Sequence, residues 1–416
     1  RLEGVKPRAI ERVAVIGAGT MGAGIAAAAA AAGIPVSVVE MNEAAAEAGR
    51  ARVAGLFERM AKSGRLTPAQ HAAAVAAHSV GTDFEAAVGA ADVVIEAVFE
   101  EIEVKKTLFR RIAPVAKAGA TLATNTSYLD VDAIAAETGR AQDVIGLHFF
   151  SPANIMKLVE VIEGARSDPS AVATGVALGK RIGKIPVVCR VCDGFVGNRI
   201  LGAYRGAQDI LLENGGTPEG IDRALEAFGF AMGPYAVSDL AGLDIGFARR
   251  KSLAPTRDPK RRDGGTTLDR LAGMGRFGQK TGRGFYRYVE GKRVVDPEVT
   301  ALIEEVAREK GVARKPVDDD LVVRATRAVM ANEGAKILAE GIVPRALDID
   351  VVYLQGYGYP VWRGGPMFEA DRVGLKQILA DMREVSALAG PGYEPAPLLV
   401  ELAESGGTFA SWTKRN

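Results

Sequence analysis

Three histidines occur in 416 residues, and one of them, His148, stands in Gly146-Leu147-His148-Phe149-Phe150-Ser151-Pro152. Histidine is the side chain whose unperturbed pKa lies closest to neutrality, so it takes or gives a proton at little cost. A hydroxyl, Ser127, precedes it, a carboxylate, Glu160, follows twelve residues later, and an amide, Asn198, lies further on. Each has an ordinary structural use: a strand-end histidine, a surface ion pair, a helix cap and a turn. Taken together they read as one proton-transfer site. The run Met156-Lys157-Leu158-Val159-Glu160-Val161 is strand-like, so a hairpin return after Pro152 can bring Glu160 beside the imidazole. A buried carboxylate there fixes the ring and stabilises the imidazolium formed on proton uptake.

The elements that must hold these residues begin with a nucleotide-binding pattern. A short β-branched run at 12–16 ends in Gly17-Ala18-Gly19-Thr20-Met21-Gly22, followed by a small-residue helix through Ala32 and a second strand ending at Glu40. Strand, glycine turn, helix and strand within about thirty residues form a βαβ unit. Gly17 permits the tight turn, Gly19 lets the backbone approach a pyrophosphate, and Gly22 allows close helix–strand packing. The helix N-terminus, with Thr20 and Met21, favours the anion. Glu40, eighteen residues past Gly22, accepts bonds from both ribose hydroxyls and repels a 2′-phosphate. That favours NAD over NADP, with FAD the chief rival and a glycine turn that binds no dinucleotide the ordinary alternative. A proton acceptor beside a bound nicotinamide implies oxidation of an alcohol.

Further buried-strand candidates at 92–98, 121–124 and 144–148 alternate with helical stretches, which predicts an α/β Rossmann-type doubly wound parallel sheet over the first ~190 residues. The seven-alanine run 26–32 reads as a helix face that lies close to the sheet. From about Phe195 the pattern turns helical and repeats. Ile221-Asp222, Gly233-Pro234, Asp239 and Gly242-Leu243 recur as Ile349-Asp350, Gly365-Pro366, Asp371 and Gly374-Leu375. The second copy carries about four extra residues around Gly356-Tyr357-Gly358-Tyr359-Pro360. The sequence therefore divides into a dinucleotide-binding domain over 1–192 and two homologous all-α domains over 193–295 and 296–416.

Composition excludes other classes. Net charge is +1, with 52 basic and 51 acidic residues, so neither nucleic acid nor an anionic surface is selected as partner. No apolar run is long enough to span a bilayer. Cys189 and Cys192 form a C-x-x-C on a strand pattern, with no second Cys or His pair to complete a zinc tetrahedron. They read as reduced structural thiols, and no metal is expected.

The runs Gly17–Gly22, Glu96-Ala97-Val98-Phe99-Glu100, Asn125-Thr126-Ser127, His148–Pro152, Gly194-Phe195-Val196-Gly197-Asn198-Arg199 and Gly278–Tyr286 resemble the L-3-hydroxyacyl-CoA dehydrogenases. The repeated helical part, with Gly356–Pro360 and Gly364-Gly365-Pro366-Met367, resembles more narrowly the dehydrogenase half of the multifunctional β-oxidation enzymes of peroxisomal bifunctional type. The resemblance implies NAD-dependent oxidation of (S)-3-hydroxyacyl-CoA to 3-oxoacyl-CoA. His148 would be the general base, Glu160 its orienting partner, and Ser127 and Asn198 the groups that hold the substrate. Glu100, Lys105 and Asn125 match positions that contact NAD. A positive group for the CoA phosphates is expected in the helical hairpin after the second strand, with Lys62 or Arg65 to serve.

An enoyl-CoA hydratase/isomerase half precedes the dehydrogenase in those relatives, and a chain starting at Arg1 without Met fits a part of such a polypeptide. The helical repeats imply an internal pseudo-dimer and so a monomer. Two positions depart from the commoner family pattern: Ser151 where many relatives have Asn, and Asp193 where many have Pro. The C-terminal Trp412-Thr413-Lys414-Arg415-Asn416 is not the Ser-Lys-Leu address, which points to a bacterial-type cytoplasmic protein. The rival readings are a 3-hydroxybutyryl-CoA enzyme reducing with NADPH, a hydroxy-acid dehydrogenase without CoA, and a non-catalytic nucleotide-binding protein of this fold.

Overall fold

The computed structural model describes residues 2–256 and 266–413. Residues 257–265 of the segment joining the helical repeats, and Lys414–Asn416 of the C-terminal tail, lie outside the described residues. Contacts divide the chain into two compact units. The first comprises Arg1–Asn198 with Gly341–Val343 and Gln355–Tyr357; the second comprises Arg199–Glu340, Pro344–Leu354 and Gly358–Asn416.

The first unit is built on eight strands: β1 (Val13–Ile16), β2 (Val36–Val39), β3 (His78–Gly81), β4 (Val93–Glu96), β5 (Thr121–Thr124), β6 (Val144–Phe149), β7 (Leu158–Glu163) and β8 (Ile185–Arg190). Their order in the sheet is β3-β2-β1-β4-β5-β6-β7-β8. Chain direction across the sheet reverses between β1 and β4, the switch point at which such sheets bind ligands beyond their strand ends. All neighbours pair in parallel except β6 and β7, which are antiparallel. β1 and β4 are buried along their length and apolar but for Glu96 at the end of β4, as expected where helices cover both faces. β3, with only one Val in His-Ser-Val-Gly and no buried residue, gave no hydrophobic signal and is an edge strand.

All but the last residue of the alanine run lies in α1 (Thr20–Ala31), which packs both on β1 and β2 and beneath a hairpin of α2 (Glu43–Lys62) and α3 (Pro68–Ala76). Ala26–Ala30 are all buried. A helix covered on several sides carries no amphipathic stripe, and small residues let its neighbours approach. The expected small face is thus a small surface on every side.

The second unit is helical. The repeat seen in the sequence has a physical basis in two sets of aspartates that accept backbone bonds. Asp222 accepts bonds from Tyr235 N (2.9 Å) and Ala236 N (3.1 Å), at the start of the helix Pro234–Ala241. Asp350 accepts from Met367 N (2.7 Å), at the start of the helix Pro366–Val373. A side-chain carbon on Gly233 or Gly365 would lie 2.3 or 2.4 Å from these same carboxylates, which explains the paired Gly-Pro signals. Asp239 then accepts from Phe285 N (2.8 Å) and Tyr286 N (3.0 Å), while Asp371 accepts from Phe409 N (2.8 Å) and Ala410 N (2.9 Å). The Gly278–Tyr286 motif is therefore a turn wrapped on Asp239, since a side chain on Gly278 or Gly284 would overlap that residue.

The helical unit also contains one short antiparallel pair, β9 (Tyr286–Val289) and β10 (Lys292–Val295). Glu290 and Gly291 both take positive φ, 49° and 76°, the requirement of a two-residue type I′ turn. Among the described residues, no helix is long and apolar enough to cross a membrane.

Candidate functional site

His148 lies near the C-terminal end of β6, directly opposite Glu160 in the antiparallel register with β7. The expected hairpin return therefore exists. His148 Nδ1 is 2.7 Å from Glu160 Oε2, with the residues 4% and 0% exposed. The other carboxylate oxygen, Oε1, accepts from the backbone N–H of Val196 (3.1 Å) and Gly197 (3.0 Å). A buried carboxylate is costly unless its lone pairs are used, and here both oxygens have donors.

Those two amides are aimed by an unusual backbone. Gly194 and Phe195 both have positive φ, 73° and 50°. For a bulky residue this is a genuine outlier. Phe195 N donates to Cys192 O (3.1 Å) and Cys192 Sγ to Phe195 O (3.1 Å), which closes the turn. Phe195 is 0% exposed, and its ring lies 5.7 Å from the imidazole. Neither cysteine forms a disulfide, and burial raises the Cys189 pKa well above its ordinary value. The C-x-x-C thus contributes a turn contact at its second cysteine and a buried strand side chain at its first.

The loop between β6 and β7 is held from below. Lys184, immediately before β8, donates through Nζ to Ala153 O (2.5 Å) and Met156 O (2.6 Å), and burial lowers its pKa to about 8. The Ser151–Pro152 peptide in that loop is cis.

The loops after β4 and β5 bring up the remaining candidates. Asn125 Oδ1 accepts from Phe149 N (2.9 Å), tying the end of β5 to the end of the histidine strand. Glu100 Oε1 accepts from Thr126 Oγ1 (2.6 Å), Ser127 N (2.7 Å) and Tyr128 N (3.1 Å). Asn198 Nδ2 points at Ser127 O (3.5 Å), and Tyr357 Oη donates to Asn198 Oδ1 (2.9 Å). Lys105 is 0% exposed, with Nζ 2.6 Å from Glu96 Oε1 and 3.4 Å from Glu100 Oε2. Its charge reaches the site through Glu100 rather than by direct exposure. Among the described residues, no group of three or more His, Cys, Asp and Glu could hold a metal ion.

Comparison with known proteins decides the family. Residues 12–192 match the NAD binding domain of 3-hydroxyacyl-CoA dehydrogenase, and residues 194–288 match its C-terminal domain. The chain belongs to the 3-hydroxyacyl-CoA dehydrogenase family. It is 44% identical to the peroxisomal bifunctional enzyme of Danio rerio over 96% of this chain and 57% of that protein. The chain thus spans little more than half the length of such relatives. The crystal structure of 3-hydroxybutyryl-CoA dehydrogenase from Escherichia coli superposes with a TM-score of 0.81 at 29% identity, covering 96% of this chain and 100% of that one. The dehydrogenase part of multifunctional enzyme 1 from C. elegans gives 0.66 at 30% identity, covering 95% and 90%.

NAD is the cofactor of this dehydrogenase family domain, and the glycine turn fits it. Gly17, at φ 97°, lies so close to Ala97 O that a side-chain carbon would come within 2.8 Å of it. A carbon on Gly22 would come within 1.8 Å of Gly17 O. Gly19 differs: a carbon there meets nothing within 4 Å, and no side chain caps the helix N-terminus that follows. An open cradle over uncapped N–H groups suits a pyrophosphate. Thr20 and Met21 form the first turn above it, and Glu40 Oε1 accepts from Ala18 N (2.5 Å), which sets the carboxylate against the turn. Gly19→Val should therefore fold as the parent does while losing NAD affinity by at least roughly a hundredfold, because a branched side chain fills the cradle and shields the helix end. Calorimetric titration beside a thermal melt checks this; unchanged affinity would place the dinucleotide elsewhere.

Lys62 and Arg65 lie exposed at the turn between α2 and α3. They form the charged tip of the hairpin anticipated after β2. Four residues contribute to the site without being site candidates in the sequence. The Val196 and Gly197 amides have no side-chain signature, and the Phe195 conformation is invisible in residue type. Tyr357 did have a signal, since it stands in the stretch where one repeat is longer than the other.

Proposed function

We propose that this chain oxidises (S)-3-hydroxyacyl-CoA to 3-oxoacyl-CoA with NAD in fatty-acid β-oxidation. The observation that carries the reading is the buried His148–Glu160 pair at the C-terminal edge of a dinucleotide-binding sheet. An ionised carboxylate only accepts, so Glu160 keeps the proton on Nδ1 and leaves Nε2 as the base. Nε2 takes the 3-hydroxyl proton, and Glu160 balances the charge that appears on the ring. Bound NAD supplies the acceptor for the hydride leaving C3. Ser127 and Asn198 hold the reacting oxygen. Glu100, Asn125 and, from beneath, Lys105 shape the nicotinamide side, and Glu40 takes the adenosine ribose. Lys62 or Arg65 meets the CoA phosphates.

The test is turnover of a chain-length series of 3-hydroxyacyl-CoAs with NAD, followed by NADH absorbance, with free 3-hydroxy acids and NADP as controls. Binding of NAD without oxidation of any thioester overturns the proposal and leaves a nucleotide-binding protein. The full-length similarity to the E. coli 3-hydroxybutyryl-CoA dehydrogenase favours one second reading, a short-chain enzyme. Turnover confined to the C4 substrate and faster with NADPH in reduction would establish it.

The same reading extends to organisation. It assigns 1–192 to the NAD-binding domain and 193–295 and 296–416 to two homologous helical domains. The matched Asp222 and Asp350 caps support that duplication. Contacts between the repeats, such as Gln208 Nε2 to Thr326 Oγ1 (2.8 Å), support an internal pseudo-dimer and hence a monomer. An enoyl-CoA hydratase/isomerase half working beside it is what the bifunctional relatives suggest. Two cysteines that form no disulfide support a reducing, cytoplasmic setting.

A further inference from the structure

Tyr357 belongs by sequence to the second helical repeat, in the stretch where that repeat exceeds the first by about four residues. By contact, Gln355–Tyr357 group with the sheet unit. The backbone there is seated on the start of β7, since a side-chain carbon on Gly356 would lie 2.4 Å from Leu158 Cδ2. Tyr357 itself touches Asn198, Phe150 and Gly197. Its hydroxyl donates to Asn198 Oδ1 (2.9 Å), and its ring meets Phe150 edge-on at 5.4 Å. The Phe150 ring in turn lies 4.4 Å from His148. Gly197 makes room for it, because a carbon there would come within 2.2 Å of Tyr357 Cε2.

An asparagine amide is two-faced: one end only accepts and the other only donates. In alcohol oxidation the reacting oxygen surrenders its proton to the base and keeps only lone pairs. It is then stabilised by donors and repelled by a carbonyl oxygen. We propose that Tyr357 is a positioning residue for this reaction, committing Asn198 Oδ1 to its hydroxyl so that Nδ2–H is the end offered beside Ser127. The inference rests on the dehydrogenase reading above, in which Asn198 holds the reacting oxygen. It gives the extra residues of the second repeat a purpose: they deliver a phenol to the site from an element that the first repeat does not possess.

A double-mutant cycle on the full chain tests it, using Tyr357→Phe, Asn198→Ala and the double variant. Tyr357→Phe keeps the ring contacts and removes only the hydroxyl. It should lower kcat by roughly five- to tenfold, the worth of one hydrogen bond, with NAD affinity and melting temperature as in the parent. In the Asn198→Ala background the same change should cost less than about twofold. Parental kcat in Tyr357→Phe, or an equal loss with and without Asn198, overturns the proposal. Absence of 3-hydroxyacyl-CoA turnover in the parent protein would instead refute the reaction. The side-chain amide signals of asparagine-labelled protein then carry the test. A shifted Asn198 signal in Tyr357→Phe supports the contact, and an unmoved one overturns it.

Discussion

Replacing His148 with glutamine should lower turnover by roughly a hundred- to ten-thousandfold, the range for loss of a general base, while NAD binding stays near that of the parent. Glutamine is the informative choice. Glu160 is 0% exposed, and truncation to alanine would leave a buried carboxylate without its imidazole partner, at a cost of about 3–5 kcal/mol. A glutamine amide can still donate toward Oε2, but it cannot take a proton. Steady-state kinetics beside NAD titration and a thermal melt separate the two effects. Turnover within a few-fold of the parent would remove His148 from the mechanism.

The second large effect is expected for Glu160→Gln, and its cause is a tautomer rather than a charge alone. Glu160 Oε1 is engaged by two backbone N–H groups, which can only donate. A glutamine at this position must turn its oxygen to them and its NH₂ toward His148. That NH₂ bonds Nδ1 only if Nδ1 is unprotonated, which moves the ring proton to Nε2, the atom that must accept. Where an orienting carboxylate is amidated in this way the loss is about 10⁴-fold, and a loss of that order is expected here. Raising the pH should not restore the rate, because the neutral ring already carries its proton on the wrong nitrogen. A variant whose rate recovers in alkaline buffer would show that Glu160 acts only through charge.

Much of this was readable from residue type and spacing. The glycine turn, the Glu40 strand end and the return of the chain from His148 to Glu160 all follow from local patterns. The repeated pattern of the helical part is legible because Gly-Pro pairs and aspartates recur in order, and the carboxylates at Asp222 and Asp350 explain the Gly-Pro pairs among them. What stayed hidden has a common physical origin. β3 is an edge strand with no buried face, so no alternation marks it. The β9–β10 turn uses Glu290, an uncommon residue at positive φ. The Val196 and Gly197 donors belong to the main chain, and Tyr357 reaches Asn198 across 159 residues of sequence.

The way Glu160 is held has an evolutionary consequence. Its Oε1 donors are peptide N–H groups, which every residue but proline carries. Substitutions at Val196 can drift within the limits of packing and still leave the orienting contact intact. What must be inherited is the path of the chain through Gly194 and Phe195. Two relatives could therefore keep the same hold on this carboxylate while differing in the side chains beside it, and an accounting of residue identities would overlook the part that both preserve.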